Sequence, residues 1–132
     1  MINKFYKKVI AQRPEDLSII SALCSQAKVK QSDIKYLKNN KVFILTIERT
    51  NKESNAKNEK IGSVIKFDFI DNCKSKNINQ NDPNILLELL AIDIFKRNND
   101  FEITLLFSKN RFITLTTEVI EVTLEDQKLE HD

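Results

Sequence analysis

The sequence reads as a single α+β domain over residues 1–132, mainly antiparallel β, with an N-terminal amphipathic helix packed on a curved six- or seven-stranded sheet or small barrel. Three observations predict this class. One stretch near the N-terminus repeats apolar residues at helical spacing, the runs after it repeat them at a spacing of two, and short asparagine-bearing turns separate the later runs. Short turns join antiparallel neighbours, because parallel neighbours need a long crossover.

The helix is expected over residues 14–26, where Leu17, Ile20, Cys24 and Ala27 recur every three or four positions and Ile19 and Leu23 widen the stripe. Pro14 lacks only a donor that the first turn does not use. Glu15 and Asp16 suit the positive end of the helix dipole, and Lys28 and Lys30 follow its negative end. The stripe is read as covering one face of the domain's own sheet.

Strands are expected at 34–37, 42–49, 61–70, 86–95, 101–107 and 112–126, all rich in β-branched and aromatic residues. Ile61, Ile65, Phe67 and Phe69 share one parity while Gly62, Lys66 and Asp68 take the other; Ile103, Leu105 and Phe107 likewise alternate with Glu102, Thr104 and Leu106. Asn39-Asn40, Asn98-Asn99 and Lys109-Asn110 mark hairpins, with asparagine supplying the positive φ that glycine supplies elsewhere. In the last run Ile113 and Leu115 set one phase and Ile120, Val122 and Leu124 the other, which predicts a bulge or corner at Val119-Ile120; a strand buried on both faces is the alternative. Residues 1–12 read as an arm or strand, 50–60 and 77–84 as longer loops, and 127–132 as a disordered tail.

An apolar content of 41% with 30% charge is globular, and no apolar run approaches the ~18 residues of a membrane span. The N-terminus lacks the apolar core of a secretory signal, so a cytoplasmic protein without membrane attachment is expected. Cys24 and Cys73 lie far apart with no histidine near them and read as reduced thiols; a lysine-assisted redox sensor is the alternative.

One glycine (Gly62), no tryptophan and one histidine (His131) argue against glycine-rich phosphate loops, histidine metal centres and histidine bases. No catalytic, metal-binding or cofactor-binding residue is assigned, and no cofactor is expected. Asp68 with Asp93 and Glu118 with Glu121 could be proposed as acid pairs, but their parity reads as a solvated face. Ser21, Ser32 and Ser63 lack a nucleophile turn. Asp68, Asp71 and Asn72, and the run Asn79-Gln80-Asn81-Asp82, read as turn chemistry rather than cation ligands. The aromatics read as core, except Phe5, Tyr6 and Tyr36, which could form an exposed contact patch.

The net charge of +2 conceals an asymmetry: residues 1–66 carry 14 basic against 6 acidic groups and residues 67–132 carry 7 against 13. A basic face for nucleic acid would need Lys28, Lys30, Lys35, Lys38 and Lys41 on one side of the fold. Arginine, which makes bidentate base and phosphate contacts, occurs only at 13, 49, 97 and 111, while the 17 lysines rise together with 14 asparagines and 17 isoleucines, as AT-rich codon usage would produce. Nucleic acid is therefore the secondary expectation.

Five words in order, Glu15-Asp16-Leu17-Ser18-Ile19-Ile20-Ser21-Ala22, Asp33-Ile34-Lys35-Tyr36-Leu37, Ile65-Lys66-Phe67-Asp68, Leu89-Leu90-Ala91-Ile92, and Phe112-Ile113-Thr114-Leu115 running to Ile120-Glu121-Val122-Thr123-Leu124-Glu125-Asp126, resemble an uncharacterised alphaproteobacterial family, domain of unknown function 2948. The resemblance covers roughly residues 12 to 126, with asparagine and lysine where the family pattern has glycine and arginine. It implies a cytoplasmic alphaproteobacterial protein and carries over no reaction, ligand or catalytic residue. The expected function is a non-enzymatic interaction or ligand-binding module, with a protein partner or self-association through an edge strand. Nucleic-acid binding, or an enzyme with a carboxylate or lysine centre, are the alternatives.

Overall fold

The computed structural model describes residues 7–50 and 59–127. In chain order the elements are β1 (Lys8–Ala11), α1 (Pro14–Leu23), β2 (Ala27–Lys30), β3 (Ile34–Leu37), β4 (Val42–Thr50), β5 (Lys60–Phe67), β6 (Ile70–Lys76), β7 (Leu86–Lys96), β8 (Phe101–Phe107), β9 (Arg111–Thr117) and β10 (Val122–Asp126). All neighbours pair antiparallel, in the order β1-β10-β5-β4-β2-β7-β8-β9-β6. β5 runs along one edge of β4, so β3 and β2 follow each other along the opposite edge.

The connections force the sheet to curl. β5 and β6 stand far apart in strand order, yet only Asp68 and Phe69 separate them in the chain, a reach of a few residues. β9 passes to β10 through Glu118–Glu121 over the same divide. The two corners are tied together: the Asp68 amide donates to Glu121 O at 2.9 Å, and the Thr117 hydroxyl shares its proton between Phe69 O (2.8 Å) and Val119 O (2.6 Å). Ile70 N donates to Lys41 O and the Tyr36 hydroxyl to Ile70 O, closing β6 against the β3–β4 turn. The expected break of phase at Val119-Ile120 is thus a corner, with Ile120 buried and Val119 exposed.

Inward residues of both halves of the sheet, among them Phe43, Leu45, Ile65, Phe67, Leu89, Leu105, Ile113 and Leu124, form one core with Leu17, Ile20 and Cys24. Helix α1 packs on β7 and β1 and takes up the edge of β7 beyond the end of β2. There a bulge between Leu89 and Ala91 frees the Ile92 amide, which donates to the Ser21 hydroxyl at 2.9 Å.

The expectations of six or seven strands and of a small barrel are corrected. The described residues hold ten strands, and no ladder joins β1 to β6, so the sheet is open. The runs 61–70 and 112–126 each break at a corner, while β1 and β2 have four residues each and β6 (Ile-Asp-Asn-Cys-Lys-Ser-Lys) is too polar to show alternation. The helix ends at Leu23 rather than 26, because Gln26 takes φ 70° and turns the chain into β2. Ile19 lies off the Leu17–Ile20 stripe and is exposed, Ala27 reaches the core from a strand, and Lys28 and Lys30 point outward from β2. Asparagine supplies the left-handed residue at Asn77 and Asn110, but Lys41 does so beside Asn39-Asn40, and Asn98-Asn99 remain at negative φ in a turn clamped by Arg97 and Asp100. Residues 1–6, 51–58 and 128–132 lie outside the described residues, as do Phe5, Tyr6, His131 and most of the expected tail and 50–60 loop.

Candidate interaction surface

Strand alternation sends the odd-numbered residues of β4 and β5 into the core and the even-numbered ones to solvent. Residues directly opposite on antiparallel strands project to one side, so the ladders carry that outer face across the first half of the sheet. One row runs Lys8, Glu125, Val64, Thr46; the next runs Ile10, Thr123, Lys66, Ile44, Lys35; Glu48, Lys28 and Glu88 form a third. With Lys30 and Lys60 on the same parity, six lysines (Lys8, Lys28, Lys30, Lys35, Lys60, Lys66) face three glutamates (Glu48, Glu88, Glu125) around an aliphatic and threonine centre.

Some of this charge is already matched. Lys28 Nζ lies 3.2 Å from Glu88, Lys66 Nζ lies 3.7 Å from Asp68, and Lys60 donates to the Thr50 hydroxyl. Lys8, Lys30 and Lys35 have no such neighbour among the described residues. Two shallow depressions open on the face. One of about 310 Å³ is lined by Lys8, Ile10, Val64, Lys66, Thr123 and Glu125, and one of about 240 Å³ by Lys28, Lys30, Asp33, Thr46, Glu48 and Leu86.

Of the five lysines expected together, Lys28, Lys30 and Lys35 share this face. Lys38 and Lys41 sit in the turn at its end, where Lys41 pairs with Asp71 at 3.1 Å. Lys8, Lys60 and Lys66 complete the face and were not anticipated, because their placement depends on the pairing of β1, β10, β5 and β4 from separate segments. Asp68 pairs with Lys66, Asp93 is exposed, and Glu121 accepts from the Gln12 side chain, so neither proposed acid pair forms a shared buried site. Asn79 and Asp82 accept from backbone amides two residues on, as turn residues do. No group of three metal-ligating side chains occurs among the described residues. Burial pushes the Cys73 thiol up to about 11, Cys24 is buried, and neither is in a disulfide.

A second polar cluster was not anticipated. Arg49, Ser63 and Asp126 point inward at the end of the core from β4, β5 and β10, fully or nearly fully buried. Arg49 Nε and Nη2 grip the Asp126 carboxylate at 3.0 and 2.8 Å, Ser63 Oγ donates to it at 2.7 Å, and the Lys7 amide donates at 2.8 Å. Burial pushes the Asp126 carboxyl up, but these four donors and the guanidinium charge outweigh it and hold the group below its ordinary range. Each carboxylate oxygen is engaged, so the cluster is a clamp between three strands.

A family model for DUF2948, a protein of unknown function, matches residues 7–131. The chain belongs to the DUF2948 family. A solved structure similar to this DUF2948 chain is that of an uncharacterized protein from Neisseria gonorrhoeae, with 15% identity over 90% of this chain and 97% of that one and a TM-score of 0.46, too slight a likeness to bear on function. No curated protein matches the DUF2948 chain by sequence. Among its described residues no helix is long and apolar enough to cross a membrane.

Proposed function

We propose that this protein is a cytoplasmic binding module that presents the outer face of β1-β10-β5-β4-β2 to an acidic protein partner. The observation that carries this reading is the row Ile10, Thr123, Lys66, Ile44, Lys35, which sets aliphatic side chains and lysines side by side on an exposed pleated surface. Aliphatic centres with a charged rim suit a protein surface, where apolar contact supplies affinity and charge supplies register. Nucleic acid fits less well, because among the described residues the face offers no arginine fork and no aromatic ring on which a base could stack. Cys24 and Cys73, neither of them in a disulfide, accord with a reducing compartment.

The test is retention of partners from native lysate on the wild-type chain and on Lys8→Glu with Lys35→Glu, beside Lys109→Glu in the exposed β8–β9 turn as a control. The reading expects a bound protein lost with the first pair of changes and kept with the control. Equal retention by all three chains, or no retained protein at low salt, overturns it. Nuclease-sensitive retention would transfer the face to nucleic acid.

A further inference from the structure

The other half of the sheet has an outer face of different character, and we infer that it is the contact surface of a two-fold dimer of this chain. The helix lies on the core side, so β7-β8-β9-β6 present their outward residues to solvent. The ladders place Asp93, Thr104, Thr114 and Lys74 in one straight row across those four strands. In the next row Ala91, Leu106, Phe112 and Lys76 follow one another, and in the row on the other side of Asp93 the 65% exposed Phe95 stands beside Glu102.

This arrangement is self-complementary under one particular rotation. A two-fold axis parallel to the strands and midway between β8 and β9 maps each row onto itself in reverse. Asp93 of one chain then lies over the partner's Lys74 and Lys74 over the partner's Asp93, while Leu106 meets the partner's Phe112 and Thr104 the partner's Thr114. The perpendicular choice of axis would lay Asp93 on Asp93 and Lys74 on Lys74. Charge therefore selects the parallel axis. Among the described residues Asp93, Lys74 and Lys76 have no ion-pair partner within their own chain, so these charges are free for the contact.

Packed faces of this kind sit about 10 Å apart, within reach of an aspartate and a lysine side chain. The four strands span only about 15 Å, which places the contact in the weak class of interface and makes the dimer dependent on concentration and salt. The sheet edges are poorer routes to self-association. β1 is only four residues long, β6 carries lysines, and the first amide of β6 is already bound to Lys41 O.

The experiment is sedimentation velocity of the full chain from about 10 μM to about 1 mM at low and high salt. The wild type is expected to dimerise reversibly and more weakly as salt rises. Asp93→Lys and Lys74→Glu should each weaken the dimer about tenfold or more, because each turns two attractions into two repulsions. The double variant should recover most of the loss, and an equimolar mixture of the two single variants should form a heterodimer, since the altered chains are again complementary. A chain that stays monomeric throughout, a dimer indifferent to both changes, or single variants that fail to rescue each other would overturn the inference. Circular dichroism confirms that these exposed substitutions leave the fold intact. The outcome is separable from that for the lysine face, which none of these variants touches.

Discussion

Arg49 and Asp126, 77 residues apart in the chain, form a two-pronged ion pair with neither side chain accessible to solvent. The pair fastens β10 to β4 across β5, and through the Lys7 amide it also fixes the start of β1. A buried pair returns little net stability over an apolar substitute, but removing one partner is expensive. Asp126→Ala should therefore cost about 3–5 kcal/mol, whereas Ser63→Ala, which removes one neutral donor, should cost about 1–2 kcal/mol. Urea titrations of the three chains check this, and a loss under about 0.5 kcal/mol for Asp126→Ala would show the clamp to be dispensable.

The same carboxylate sets an acid limit. Its pKa is lowered in the folded chain, so the unfolded chain binds the proton more readily and the stabilisation is complete above the ordinary carboxylate value of about 3.9. It is lost as pH falls through the lower, folded-state value. The stability gap between wild type and Asp126→Asn should accordingly be constant from neutrality to about pH 5 and shrink below about pH 4. Urea midpoints of both chains along a pH series measure it; a gap that widened in acid would reverse the sign and remove the argument.

Phe69 carries the backbone strain of the β5–β6 corner. It is a bulky residue at φ 61°, more than half exposed, so its ring contributes little burial while its backbone pays for the left-handed conformation. Phe69→Gly should stabilise the chain by about 0.5–1 kcal/mol. Thr117→Val should do the opposite by about 1–3 kcal/mol, because the Phe69 and Val119 carbonyls lose the hydroxyl proton they share. Thermal melts distinguish the two, and a destabilised Phe69→Gly would mean that the exposed ring packs more than its accessibility indicates.

Much of this fold was legible in residue order, for reasons visible at particular positions. Strands such as β4 and β8 bury one face, so their alternation set their limits to within a residue, and the phase change between Leu115 and Ile120 marked a corner that tertiary structure made necessary. β6 was illegible because an edge strand needs only partners for its backbone; Cys73 is half-buried and its neighbours are solvated. The corner at Phe69 was hidden because its parity continues that of Phe67, and only the backbone angle shows that the ring has left the core. The surface was less legible still. Lys35 and Lys66 stand on alternating outward positions in their own strands, but their sharing of Ile44 as neighbour depends on pairings that local pattern does not encode. Arg49, one of four arginines, stood out by type, while its partner 77 residues away did not.

A polar contact between the helix and the sheet can be removed to isolate its contribution. At the β7 bulge the Ile92 amide points away from β8 and past the end of β2, and Ser21 Oγ on α1 is the acceptor that meets it. Ser21→Ala leaves that amide part-buried without the acceptor and should cost about 1–3 kcal/mol. Leu17→Ala, which empties a wholly buried position on the same helix, should cost about 2–5 kcal/mol. The two losses act differently on local motion. Ser21→Ala should raise exchange of the Ile92 amide well above that of its β7–β8 neighbours, whereas Leu17→Ala should raise exchange along the whole helix. Hydrogen exchange followed residue by residue separates these outcomes, and an Ile92 amide as protected in Ser21→Ala as in the wild type would mean that the bulge is held by its strand partners alone.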